Sequence, residues 1–218
     1  CSSGVCGMGA CPTGMRFIPA GMFQMGDTDY APIHGVQLSE FCMDETEVTV
    51  AAYATCTACT APDIGTYYNW GVAGRESHPV NGVDWNQARA YCQSRGGDLP
   101  TESQWEYAAR GTDGRTYPWG NAASATQLCW SGGGTSRTNT CPVRTYPSGN
   151  SPFGLFDMAG NVWEWTADYY AASYTGSASS YVLNPMGPVS GSSRVARGGA
   201  FSDTAATFVR ASSRVDYS

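Results

Sequence analysis

Apolar and small residues alternate along Phe17-Ile18-Pro19-Ala20-Gly21-Met22-Phe23-Gln24-Met25-Gly26 between turn signals, which predicts a hairpin. Val36 to Met43 (VQLSEFCM) alternates in the same way and predicts a strand. The period then lengthens. Thr49 precedes a short helical stretch, Val50 to Thr55, that would turn Val50, Tyr53 and Ala54 inward. Asp84 stands before Trp85 with Gln87 three residues on, a capping box, and Trp85, Ala88, Tyr91 and Cys92 recur at helical spacing until Gly96-Gly97. Thr101 with Gln104 opens a second such helix, which points Trp105, Ala108 and Ala109 toward the core and stops at Gly111.

After Gly111 the periodicity fades into turns. Cys129 and Cys141 bracket a Gly/Ser/Thr-rich loop (WSGGGTSRTNT), and a disulfide between them would stabilise it by roughly 3 kcal/mol on the chain-entropy model. Gly176 to Ser193 reads as a polar surface excursion. With 27 glycines, 12 prolines and few helical runs in 218 residues, the pattern predicts one loop-rich α+β domain over residues 15–218 behind a Cys/Gly-rich lead at 1–14.

Nine cysteines change the picture, because loops in such number need fastening. Cys56 and Cys59 in CTAC are the only close pair, and with two histidines in the chain nothing completes a tetrahedral zinc site. Disulfides in an oxidising compartment follow: extracellular, periplasmic or anchored at a bacterial outer membrane. Cys1 followed by serines is similar to the lipidated first residue of a mature bacterial lipoprotein, and an ordinary disulfide cysteine fits equally well. No apolar run approaches a membrane span, so a membrane contact would come only through that lipid. The net charge of −6, with arginine as the sole basic side chain and no lysine, gives no footprint for nucleic acid.

Four segments in order carry a family likeness: His78-Pro79-Val80-Asn81-Gly82-Val83-Asp84-Trp85 leading into Ala88-Arg89-Ala90-Tyr91-Cys92; Leu99-Pro100-Thr101-Glu102 through Trp105-Glu106-Tyr107-Ala108; Tyr117-Pro118-Trp119-Gly120-Asn121; and Phe153 to Trp165 (FGLFDMAGNVWEW). Together with Arg197-Gly198-Gly199 they resemble the formylglycine-generating enzyme (sulfatase-modifying factor) family over about Met15 to Val215. The resemblance implies an irregular C-type-lectin-like α+β fold with little regular secondary structure, stabilised by disulfides and calcium. It also implies a parent activity, copper-dependent oxidation of a substrate cysteine to formylglycine.

Residue-for-residue transfer assigns the calcium to the Asp157 and Glu164 carboxylates and the Gly160 and Val162 carbonyls, hard oxygens in a tight turn. A second family calcium site lacks its asparagine near Leu128-Cys129. The two copper-binding cysteines of the family fall on Asp203 and Phe208, and no cysteine follows Cys141. A carboxylate and a phenyl ring cannot replace a soft thiolate pair, so copper is not expected. The family's partner for Cys92 lies in a C-terminal strand that this chain, ending at Ser218, does not reach, leaving Cys92 free, otherwise paired, or cut off from that strand.

The expectation is therefore a non-catalytic exported binding or structural module that displays loops to an extracellular protein or glycan. Two alternatives stand beside it: an enzyme of altered, metal-dependent chemistry using Asp203, Ser202 or Arg210, and a subunit of an extracellular assembly. Other polar residues take plain readings. Asp27, Asp29, Asp44, Glu45 and Glu47 form a solvated acidic face, His78 is a satisfied turn residue, Glu102 and Glu106 serve helix capping, and Trp119 and Trp163 fill the core.

Overall fold

The computed structural model describes residues 1–3 and 10–218; Cys6 lies outside the described residues. Three small sheets and three short helices are joined by long turns, as the glycine and proline content requires. β1 (Ser2–Ser3), β5 (Phe41–Asp44) and β2 (Met15–Ile18) form one sheet in the order β1-β5-β2. β3 (Gly21–Met25), β4 (His34–Leu38) and β7 (Tyr181–Leu183) form a second, and β6 (Glu164–Tyr169), β8 (Arg194–Arg197) and β9 (Arg214–Tyr217) a third.

The predicted hairpin and strand combine differently from the pattern's simplest reading. β2 pairs with β5 and β3 with β4, both antiparallel, so the two segments form one long ribbon that bends at Pro19-Ala20 and again at Ser39-Glu40. Phe17 to Gly26 is thus two successive strands of different sheets, and Val36 to Met43 is likewise split. Proline has no ladder N–H to give at the first bend. Gly21 follows it where a Cβ would lie 2.1 Å from the Tyr107 hydroxyl, so the ribbon can close on the helix only through a glycine.

α1 (Val50–Tyr53) starts at Thr49, whose Oγ1 accepts the Ala52 N–H at 3.1 Å; it buries Val50 and Tyr53 but leaves Ala54 exposed. α2 (Trp85–Ser94) and α3 (Glu102–Arg110) carry the two complete capping boxes, at Asp84/Gln87 and Thr101/Gln104. α3 lies on the main core, where Trp105, Ala108 and Ala109 are wholly enclosed with Ile18, Val36, Phe41 and Leu155. Among the described residues no helix is long and apolar enough to cross a membrane.

Four disulfides fasten the loops: Cys1–Cys92, Cys11–Cys42, Cys56–Cys59 and Cys129–Cys141. The expected bridge across the WSGGGTSRTNT loop is present. Cys92 is paired with Cys1, the second of the three alternatives open for it. Of the two readings of Cys1, the structure shows the disulfide, with its sulfur bonded to Cys92.

Candidate functional site

The segment from Asp157 to Glu164 reverses direction within a few residues. Asp157, Gly160 and Asn161 all take left-handed backbone (φ 57°, 78° and 60°), a run that one glycine and two short polar side chains tolerate. Asn161 is fully buried and locks the turn: its Oδ1 accepts the Cys141 N–H at 2.9 Å and its Nδ2 donates to Glu47 at 2.7 Å. Glu47 also accepts the Val162 N–H at 3.2 Å. Asp157 accepts the Arg144 N–H at 2.7 Å, and Glu164 accepts the Trp105 indole N–H at 3.0 Å.

Three carboxylates therefore surround one turn. Burial raises the Glu47 carboxyl well above its usual range, and the charges of Asp157 and Glu164 push it further. Burial also raises Asp157, and carries Glu164 to about 7. Other acids at low exposure mostly have arginines against them: Glu102 meets Arg197 and Arg214, Glu106 meets Arg197 and Arg110, and Asp44 meets Arg95, whereas buried Asp168 accepts the Glu102 and Gly187 N–H groups instead. Glu47 and Glu164 have no arginine partner among the described residues. A buried carboxylate without a counter-charge is costly, and neutralisation by a proton or a cation relieves it.

The turn supplies hard donors of the kind a calcium ion takes. The carbonyls of Gly160 and Val162 accept no hydrogen bond among the described residues, and the carboxylates of Asp157 and Glu164 flank them in sequence. Among the described residues no three His, Cys, Asp or Glu side chains form a metal-binding group on their own. A cation in this turn would depend on the main-chain oxygens. A cavity of about 100 Å³ opens beside the turn, walled by Glu47, Val162, Trp163, Glu164 and the Cys1–Cys92 bridge.

The other expected positions resolve as follows. Asp203 accepts the Ala200 N–H at 2.7 Å and a hydrogen bond from Trp163, and burial raises its carboxyl. Phe208, 40% exposed, sets its ring edge-on to Trp163 at 6.3 Å between centroids. Trp163 is half-buried and touches both, so it serves this pair rather than the core alone. Arg210 is bonded instead to Asp29 at 2.6 Å, so it and Asp203 hold different partners and do not form a joint substrate clamp.

His78 is a satisfied turn residue: its Nδ1 lies 2.8 Å from Thr140 Oγ1, and burial and Arg75 lower its pKa. Trp119 is half-buried and stacks on Tyr117. The acidic N-terminal residues do not form one solvated face. Glu47 is buried, Asp44 meets Arg95, Glu45 meets Arg16 and Arg144, and only Asp29 is exposed. Glu102 and Glu106 do not cap α3 either; both are buried in an arginine network.

The sequence profile of the sulfatase-modifying factor enzyme 1-like domain matches residues 9–217. The chain belongs to that family. Among its formylglycine-generating relatives, the enzyme of Streptomyces coelicolor is 33% identical, a likeness covering 84% of this chain and 77% of the relative. The inactive C-alpha-formylglycine-generating enzyme 2 of Bos taurus is 44% identical across 47% of this chain and 37% of its own length. Among solved structures, Treponema denticola variable protein 1 superposes with a TM-score of 0.73 at 27% identity, covering 94% of this chain and 89% of the other. PvdO from Pseudomonas aeruginosa reaches 0.72 at 24% identity, covering 93% and 87%, and shares the fold. The irregular α+β fold described above is thus the fold of the sulfatase-modifying factor family. Within that family this chain carries Asp203 and Phe208 where the resemblance places two thiols.

Proposed function

We propose that this chain is a non-catalytic, exported binding or structural module of its family, with calcium held in the 157–164 turn. One observation carries the reading. The two positions matched to the copper thiolates hold a carboxylate tied to Ala200 N–H and a phenyl ring against Trp163, neither of which is a soft donor. The eight described cysteines are all in disulfides, so none of them offers a thiolate to copper. The same four bridges support export to an oxidising compartment. The inactive bovine relative is a precedent by name for a family member without the activity, although the Streptomyces relative is named as an enzyme.

Calcium would be held by the Asp157 and Glu164 carboxylates and the Gly160 and Val162 carbonyls, and would supply the counter-charge that Glu47 and Glu164 lack. Its role is then structural: it fixes the turn that carries Trp163 and leads into β6. The loops so held, rich in glycine, serine and aromatic side chains, would present a surface to an extracellular protein or glycan.

Incubation of the purified protein with copper, oxygen and a cysteine-containing sulfatase-type peptide is expected to yield no aldehyde above a protein-free control. An aldehyde detected by mass spectrometry or hydrazide capture, and abolished by D203A, would overturn the non-catalytic reading.

A further inference from the structure

We propose that the Cys56–Cys59 bridge is a thiol–disulfide exchange site, open to an external dithiol while the other three described bridges stay closed. This rests on access, on what the bridge holds and on what waits for the freed sulfur. It is independent of the reading above.

Exchange requires a thiolate to approach a sulfur in line with the S–S bond, so exposure governs where it happens. Cys56 and Cys59 are both partly exposed. Each of the other bridges has a deeply buried member: Cys42 at 0%, Cys92 at 2% and Cys129 at 1% exposure. The bridge also spans only 3 positions in sequence, against 12, 31 and 91 for the rest. It therefore restrains the unfolded chain least, and its loss removes least from the fold.

The turn it closes is held by other means. Tyr53 Oη donates to Thr60 O at 3.0 Å, Cys56 N–H donates to Tyr53 O at 3.0 Å, and Gln87 Nε2 donates to Thr60 Oγ1 and Ala61 O at 3.0 and 2.9 Å. With these in place the two sulfurs stay close after the bond opens and can close again. Ser94 supplies a partner for the reduced form. Its hydroxyl gives its proton to Tyr91 O at 2.7 Å, and its oxygen stands 3.5 Å from Cys56 Sγ. In the disulfide Cys56 has no proton to offer; as a thiol it does.

In the proposed step a thiolate of an external dithiol attacks Cys59 Sγ, and Cys56 Sγ leaves with the electron pair of the S–S bond and takes up a proton. The dithiol's second thiolate then attacks its own sulfur in the mixed disulfide, releasing Cys59 as a thiol. Two electrons pass to the protein and the dithiol becomes a cyclic disulfide. Oxidation of the pair is the same sequence reversed.

The test uses the native protein with graded dithiothreitol, trapping by iodoacetamide and peptide mapping by mass spectrometry. Cys56 and Cys59 are expected to be alkylated about tenfold or more faster than any other cysteine in a bridge. Circular dichroism of the sample trapped at that stage should match the oxidised protein. The proposal is overturned if another bridge is labelled first or together with this one, if labelling of Cys56 and Cys59 appears only on unfolding, or if their reduction itself unfolds the domain.

Discussion

Replacing Arg197 by methionine is expected to destabilise the protein by about 3–5 kcal/mol, the cost of removing one partner from a buried ion pair. Arg197 is fully buried, lies 3.0 Å from a Glu102 carboxylate oxygen, and donates to Glu106 at 2.7 Å, to the Tyr174 hydroxyl at 3.1 Å and to the carbonyls of Ala211 and Ser213 at 3.0 Å each. Methionine matches much of the aliphatic volume and none of the donors. Glu102 would keep Arg214 and the Tyr174 hydroxyl and Glu106 would keep Arg110, yet two carbonyls and the Glu106 oxygen that faces Arg197 would lose that donor inside the core. R89A is the control. Arg89 also forms a bidentate pair, with Asp98, but both side chains are more than 40% exposed, so a loss within about 1 kcal/mol is expected. Chemical denaturation of the two variants measures the difference. If R197M unfolds at the same denaturant concentration as the parent, the network is not what holds α3 to β8 and β9.

Chelator-treated protein is expected to lose stability as pH rises from about 4.5 to 7. Burial carries the Glu164 carboxyl from 4.5 to about 7 and Asp168 from 3.8 to about 6, and raises Glu47 and Asp157 as well. Between the unfolded and folded values the folded protein binds more protons than the unfolded chain, so stability is greatest on the acid side and falls as these protons are lost. Glu164 alone corresponds to about 3 kcal/mol across the window. Below it the sign reverses, since Asp98 and Asp113, each hydrogen-bonded to an arginine, titrate lower than usual and favour folding only while ionised. Calcium in the 157–164 turn would replace the missing protons. The gap in melting temperature between calcium and chelator should therefore widen with pH, and E164Q should narrow it by flattening the chelator curve. Calorimetry across the window reads both effects. A chelator curve that rises between pH 4.5 and 7, or a calcium effect of the same size at each pH, would exclude this account.

Local features of the fold were legible in the sequence and non-local ones were not. The caps at Asp84 and Thr101 decide α2 and α3 within four residues, so pattern suffices. Glu102 and Glu106 look like helix-surface charges because their partners Arg197 and Arg214 are remote in sequence, and nothing near the glutamates signals them. Glu47 misleads for the same reason: it sits among acidic neighbours, while Asn161 and Val162 claim its carboxylate from the far half of the chain. The bend at Ser39-Glu40 is hidden because alternation continues through it while the partner strand changes. Cys1–Cys92 could not be read, since spacing does not fix connectivity. The turn from Asp157 to Glu164 could be read from its own residues, glycine and asparagine at left-handed positions between two acids.

The parallel pairing of β4 with β7 sets a limit on how the domain is made. Gly35 meets Tyr181 and Val36 meets Val182, so an edge of the second sheet waits for a strand far along the sequence to cover it. β8 and β9 close the third sheet only once residues 214–217 have been made. Such wiring delays completion of the domain until both strands are available, with a long interval in which a nascent chain presents bare backbone to its neighbours. Yield in a recombinant host should then respond to synthesis rate and chaperone supply more than to small gains in native-state stability.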